Sequence, residues 1–310
     1  MILTVTLNAA LDVTWEVESL RPRASHRVGA AHERAGGKGV NVARVLAHLG
    51  HDPVVTGLVG GDTGRLIRDG VRAAGLREAF LEVAAASRRT LAVVSHDDGD
   101  ATVFNGSGPD VTPAEWRRFL RHYASLLADV RVVVLSGSTP PGLPEDAYAQ
   151  LIRTAAASGA RTVLDTGGAA LLRALPARPD VVKPNAPEIT AATGREHLAE
   201  GAAILRGRGA GAVVVSAGAA GLYALTPDGA WRAAPPERLS GNPTGAGDAC
   251  VAALAAGLWG GAAWPDLLRE AVALSAAAVP CPAAGDVDAA VHRRFLAGVS
   301  VEEVAPTPTA

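Results

Sequence analysis

The sequence predicts an α/β protein, with a mostly parallel sheet and a small β-sheet standing off it. Three observations carry this. Short β-branched strands alternate with helical runs along most of the 310 residues. Nearly every strand ends in glycine or polar residues, as the ligand edge of a parallel sheet does. Four further segments alternate with period two and have no helical period, and they make the separate sheet.

Residues 2–7 read as a buried first strand that ends in Asn8-Ala9-Ala10-Leu11-Asp12. Asp12 is placed either to accept sugar hydroxyls or to serve as a turn acid. Residues 13–17 and 27–32 read as off-sheet strands. Next come Gly36-Gly37-Lys38-Gly39-Val40-Asn41 and a helical run, a glycine turn opening a helix. It is not a Walker A loop, and no G-x-G-x-x-G follows the first strand, which argues against a nicotinamide oxidoreductase. Strand, helix and strand follow over residues 53–59, 64–74 and 79–83. Residues 90–95 and 101–104, joined by Asp97-Asp98-Gly99-Asp100, read as a hairpin that completes a small β lid. Arg88 and Arg89 sit at its base. Thr112-Pro113-Ala114-Glu115 starts a helix, with a capping threonine and proline at the first position.

From there each strand delivers polar or glycine residues to one edge: Ser136, Asp165, Lys183-Pro184-Asn185-Ala186-Pro187-Glu188, then Ser216, Gly218 and Gly221. Residues 222–225 and 230–233 form a second hairpin. Three helices close the chain over residues 246–258, 264–278 and 288–296. Residues 1–300 read as one domain, with the lid at about 12–34 and 88–105 and a tail at 301–310.

Thr244-Gly245-Ala246-Gly247-Asp248 precedes an apolar, alanine-rich helix. A helix N-terminus has amides without intrahelical partners and about half a positive charge, so this turn suits an anion. Asp248 would repel that anion unless it has a task, and accepting the proton of an attacking hydroxyl is such a task. An ordinary first-turn acid has the same spacing, and on spacing alone both readings stand.

The composition narrows the class. A formal net charge of −2 gives no support to nucleic acid or an anionic membrane as partner. The two cysteines, Cys250 and Cys281, have no metal or disulfide spacing. No signal peptide or membrane span is legible, and a soluble cytoplasmic protein is expected. Of 29 basic side chains only Lys38 and Lys183 are lysine, and both lie in motifs beside asparagine. An ammonium is a compact point charge that arginine does not mimic.

Together the two glycine motifs resemble the paired signatures of the ribokinase-like (PfkB) sugar kinases. Thr6-Leu7-Asn8-Ala9-Ala10-Leu11-Asp12, Phe104-Asn105-Gly106-Ser107-Gly108 and the Lys183–Glu188 stretch narrow the likeness to the 1-phosphofructokinase and tagatose-6-phosphate kinase branch. The resemblance spans residues 2–296. It implies a Rossmann-like three-layer fold with a β lid, ATP and Mg²⁺ as cofactors, and a phosphorylated ketohexose as acceptor. Fructose 1-phosphate is the leading acceptor; tagatose 6-phosphate and fructose 6-phosphate are the alternatives, and a sugar-phosphate sensor without turnover is a remoter one. Carried onto this chain, Asp248 is the base and Gly245, Ala246 and Gly247 form the anion hole. Asp12, Gly37 and Asn41 hold the sugar, with Ser136 also on the substrate side. Lys38 and Arg88 meet its phosphate. Lys183, Asn185, Ser216, Gly218 and Gly221 serve the nucleotide, and Glu188 the magnesium. Arg89 and Asp165 stay open between a functional and a purely structural role. The chain departs from the pattern at Ala9, Thr90, Thr139, Ala217 and Asn242-Pro243. The lid strands are too few to bury both faces. Trp15, Val13 and Val17 share one parity, and a homodimer made lid to lid is expected to cover that face.

Overall fold

The computed structural model describes residues 1–97 and 100–305. Strand β1 (Ile2–Thr6) lies in the body. The chain then leaves it for β2 (Ala10–Val17) and β3 (His32–Gly36) and returns through helix α1 (Lys38–His48). Strand β4 (Val54–Gly60), helix α2 (Gly61–Ala73) and the short β5 (Arg77–Glu78) and β6 (Leu81–Val83) follow. A second excursion makes β7 (Arg88–Ser95) and β8 (Asp100–Asn105). The rest alternates: α3 (Pro113–Leu126), β9 (Val132–Ser136), α4 (Ala147–Ala157), β10 (Arg161–Asp165), α5 (Gly168–Ala174), β11 (Val181–Val182), α6 (Ala186–Thr193), α7 (Leu198–Gly207) and β12 (Ala212–Ser216). The hairpin β13 (Leu222–Thr226) and β14 (Gly229–Ala234) leads to α8 (Ala246–Gly260), α9 (Trp264–Ala278), α10 (Ala289–Gly298) and β15 (Ser300–Val304).

One sheet has 11 strands in the order β15-β14-β13-β12-β11-β10-β9-β1-β4-β5, with β6 beside β4. From β12 to β4 all neighbours are parallel; β13, β14 and β15 are antiparallel additions. Parallel strands buried on both faces explain the valine-rich runs. Alternate residues feed two cores. Leu3, Val5 and Val133 join α3 to α7 on one face, and Ile2, Val132 and Val134 join α1, α8 and α9 on the other. Helix α3 begins at the expected cap: Thr112 Oγ1 accepts from the Glu115 amide, and the Glu115 carboxylate accepts from the Thr112 amide.

The lid is a four-stranded sheet in the order β3-β2-β7-β8. Three readings change here. The strand expected at 27–32 lies further along the chain, at His32–Gly36, sharing only His32 with the expected segment, and pairs with β2 with Asp12 opposite Arg34. Residues 301–304 are no tail. They belong to β15, which pairs with β14 and closes the sheet edge, while 306–310 lie outside the described residues. The Asp98-Gly99 turn also lies outside them. The third change concerns the apolar parity of β2. Leu11 and Val13 are buried against Ile67 and Val71 of α2, and Trp15 packs on the same cluster. The body's own helix therefore covers much of the face assigned to a partner. The opposite parity, Asp12 and Thr14 beside Thr90 and Ala92, lines the cleft. Among the described residues no helix is long and apolar enough to cross a membrane.

Candidate active site

The strand ends, the lid and the N-terminus of α8 enclose one cleft of about 2350 Å³. Its floor is built by register. Ser136 and Asp165 stand side by side at the ends of β9 and β10. Lys183 follows β11 directly and is 4% exposed, and Asp165 is 1% exposed. Asp165 Oδ1 forms an ion pair with Lys183 Nζ at 3.1 Å. Asp165 Oδ2 accepts from Lys38 Nζ at 3.1 Å and from Ser136 Oγ at 3.0 Å. Both lysines of the chain thus converge on one buried carboxylate. Burial alone would push the Asp165 pKa up, but the two ammoniums outweigh it and hold it below the usual carboxylate range. Burial disfavours the charged Lys183, and Asp165 overrides that and raises its pKa.

Asp248 is the third residue of α8 and is buried. Asn41 of α1 donates from Nδ2 to Asp248 Oδ2 at 2.9 Å. Burial, and then the nearby Asp165, push the Asp248 pKa up to about 7, against the pull of Asn41, Lys38 and Lys183. A carboxyl that titrates near neutrality is poised as a general base.

The glycine turn needs its glycines. Gly245 caps α8 with φ 94°, and a Cβ there would lie 2.8 Å from Ala284 Cα. A Cβ on Gly247 would lie 3.7 Å from Lys183 Nζ. The Ala246 amide is already bonded to the Pro243 carbonyl at 3.1 Å. The amides of Gly245, Gly247 and Asp248 have no acceptor among the described residues. The expected anion hole is therefore shifted: Ala246 shapes the turn, and its neighbours have N–H groups left to give.

The sugar side is built from the lid's base. Asp12 faces Thr90 across the β2–β7 pairing. Burial raises its pKa, and the Thr90 hydroxyl, Arg88, Arg44 and Arg34 pull it back. Thr90 thus orients Asp12. A Cβ on Gly36 would strike the Asp12 carboxylate at 1.9 Å, and one on Gly37 would meet Thr6 Cγ2 at 2.7 Å, so these glycines let α1 close on the strand end. Arg88 donates from Nε to the Asn8 carbonyl at 3.1 Å and from Nη1 to the Gly106 carbonyl at 3.3 Å. Lys38 is half-exposed and lines the cleft. Arg89 faces away from this group and lies 4.0 Å from Glu33, itself a surface residue.

At the nucleotide end, Asn185 and Glu188 cap α6 reciprocally, each side chain accepting from the other's amide at 2.8 Å. One Glu188 oxygen is thus committed to the cap. The other lies toward Gly167 in the cleft, 3.2 Å from where a Gly167 Cβ would be. Among the described residues no group of three acidic, histidine or cysteine side chains could cage a metal. Mg²⁺ needs no such cage, because it is commonly held by one or two carboxylates plus phosphate oxygens and water. Glu188 fits that pattern. Ser216 and Gly218 line the cleft. Gly221 has a packing reason as well, since a Cβ there would strike the Ala233 carbonyl at 2.0 Å. Ser136 also lines the cleft; it is buried, and its hydroxyl donates to Asp165. Asp165, left open by the sequence, proves central.

A titratable acid facing unpartnered amides at a helix N-terminus, across a cleft from a polar lid, defines a kinase acting on a small hydroxylated acceptor. The pattern of pfkB family carbohydrate kinases matches residues 4–290, and the chain belongs to that family of ATP-dependent sugar kinases. Solved structures agree along nearly the whole length. Phosphofructokinase-2 from Escherichia coli is 29% identical over 96% of this chain and 98% of its own, with a TM-score of 0.90. A Thermotoga maritima protein described as a possible 1-phosphofructokinase is 28% identical over 98% of this chain and 99% of its own, with a TM-score of 0.86. Arabidopsis thaliana ribokinase shares the fold at 22% identity over 95% of this chain and 98% of its own, with a TM-score of 0.78.

Proposed function

We propose that the chain transfers the γ-phosphate of ATP to a hydroxyl of a phosphorylated ketohexose, converting fructose 1-phosphate to fructose 1,6-bisphosphate. The observation that carries this is the cleft's division of charge. Asp248 stands on the glycine turn with its free amides at one end, with Lys38 and Lys183 gathered on Asp165 nearby, while Arg88 and Arg34 present cations close to Asp12 at the other. Asp12 and Asn41 orient the sugar, and Asp248 takes the proton of the attacking hydroxyl. The amides of Gly245, Gly247 and Asp248 receive the charge that develops on the transferring phosphoryl group. Lys183, held by Asp165, adds positive charge beside that hole. Asn185, Ser216, Gly218 and Gly221 border the nucleotide. Mg²⁺, when bound beside Glu188, neutralises charge on the triphosphate.

Lys38→Ala should raise KM for the phosphosugar by about 10-fold or more, the scale of one charged hydrogen bond, with KM for ATP changed far less. Steady-state kinetics with each substrate varied will show it, and equal effects on both would remove Lys38 from the phosphate site. A second reading, fructose 6-phosphate as acceptor, is favoured by the likeness to Escherichia coli phosphofructokinase-2, which has been solved in complex with fructose-6-phosphate.

The lid-to-lid homodimer keeps its place in this proposal through the lid's edge strand β8. Val103, 52% exposed, pairs with Ala92 on the cleft-facing side, and Phe104, 55% exposed, pairs with Leu91 on the opposite face. A second copy offering the same strands would cover them. Val103→Glu should convert dimer to monomer in sedimentation at micromolar concentration. A dimer indifferent to Val103→Glu would place the interface elsewhere.

A further inference from the structure

One ion pair joins parts of the cleft that the sequence keeps far apart. Arg34, on lid strand β3, donates from Nη1 to Asp286 Oδ2 at 2.8 Å and from Nη2 to Asp286 Oδ1 at 2.5 Å. This is the bidentate arrangement that gives an arginine–carboxylate pair both strength and direction. Arg34 stands opposite Asp12 in the β2–β3 pairing, on the cleft side of the lid. Asp286 lies in the loop between α9 and α10. The two residues before it are wedged into the catalytic end. Ala284 Cα fills the space where a Gly245 Cβ would be, 2.8 Å away. Gly285, at φ 87°, lies against Asn41, with 3.0 Å from its Cβ position to Asn41 Cα. Gly245 shapes the anion hole and Asn41 holds Asp248. Arg44 braces the junction by donating to the Ala35 carbonyl of β3 at 2.8 Å, and its Cδ lies 3.0 Å from the Gly285 Cβ position.

A continuous path of contacts therefore runs from the lid residue beside Asp12, through Asp286, to the two groups that frame the reacting phosphorus. Arg34 belongs to the lid and Asp286 to the body, so the pair forms only while the lid lies against the body. We propose that Arg34 and Asp286 are positioning residues that couple the two substrates: a sugar that docks the lid sets the loop at residues 283–286 against Gly245, and nucleotide binding tightens. By linkage the nucleotide tightens sugar binding by the same factor. The proposal rests on the reading of Asp12 as a sugar contact and of the glycine turn as the phosphate hole. An exposed ion pair alone contributes little to stability, so such a pair is better placed to set geometry than to hold the fold.

Calorimetric titration of a non-hydrolysable ATP analogue with Mg²⁺, with and without sugar phosphate, measures the coupling directly. The sugar is whichever of fructose 1-phosphate, fructose 6-phosphate and tagatose 6-phosphate the wild type phosphorylates fastest. The test thus stands even if fructose 1-phosphate proves the wrong acceptor. The wild type should show coupling of about 5-fold or more, within the usual range for linked sites. Arg34→Gln, Asp286→Asn and the double variant should each bring it to near one, the double losing no more than either single. Thermal melting monitors folding in each. Coupling that persists in the single variants, losses that add, or a wild type without coupling would overturn the proposal. A fall in melting temperature with coupling intact would do so too, because it would make the pair merely structural.

Discussion

Asp248→Asn is expected to lower kcat by roughly 10²–10⁴-fold, the usual contribution of a positioned base. The substitution keeps size and can still accept from Asn41, whose Nδ2 lies 2.9 Å from Oδ2. ATP affinity should change little, because no ground-state contact to the nucleotide is removed. The wild type carries a second signature. Burial foremost, and Asp165 after it, place the Asp248 pKa at about 7, so below that pH the carboxyl is protonated and cannot take a proton. In a pH profile, kcat/KM should therefore fall on the acid side of about 7, and in Asp248→Asn that limb should vanish along with most of the activity. Turnover near the wild-type level in the variant would end the assignment.

Asp165→Asn should be nearly as damaging, for a different reason. It leaves Lys183, 4% exposed, without its counter-charge, and it frees Lys38 to move toward solvent. Breaking a buried pair by removing one partner costs about 3–5 kcal/mol. A lower melting temperature is expected. Residual activity should carry a displaced pH profile. Asp165 raises the Asp248 pKa by its negative charge, and removing that charge lowers the pKa, so the acid limb should move to lower pH. A destabilised enzyme with an unmoved limb would confine Asp165 to a structural role. A limb that moved upward would contradict the electrostatic account.

Much of this site was legible in the sequence because its parts are local. A glycine turn, an acid three residues on and an apolar helix are read within nine residues, and Gly245, Gly247 and Asp248 stand together at the cleft as expected. The capping motif at Thr112 was equally local. What the sequence withheld depends on tertiary meetings. Asp165 looks like any strand-end acid until Lys38, 127 residues away, and Lys183 arrive at its two oxygens. Ser136 is a ligand-edge hydroxyl, and only register shows that it stands beside Asp165. Arg34 and Asp286 are 252 residues apart and share no motif. The parity of β2 was read correctly, but not which surface it meets. Period-two alternation identifies an apolar face without saying that α2 already covers it. Residues 300–304 alternate too weakly to announce a strand, and their order comes from pairing with β14.

The central claim is that this sugar kinase phosphorylates an acceptor that already bears a phosphate. Coupled ADP-release rates of the wild type test it most directly, with fructose 1-phosphate, fructose 6-phosphate, tagatose 6-phosphate and the unphosphorylated parent sugars compared at equal concentration. The account predicts the highest kcat/KM for fructose 1-phosphate and little turnover of either parent. A preference for fructose 6-phosphate or tagatose 6-phosphate would keep the class and change the acceptor, and a preference for unphosphorylated fructose or ribose would contradict the claim itself.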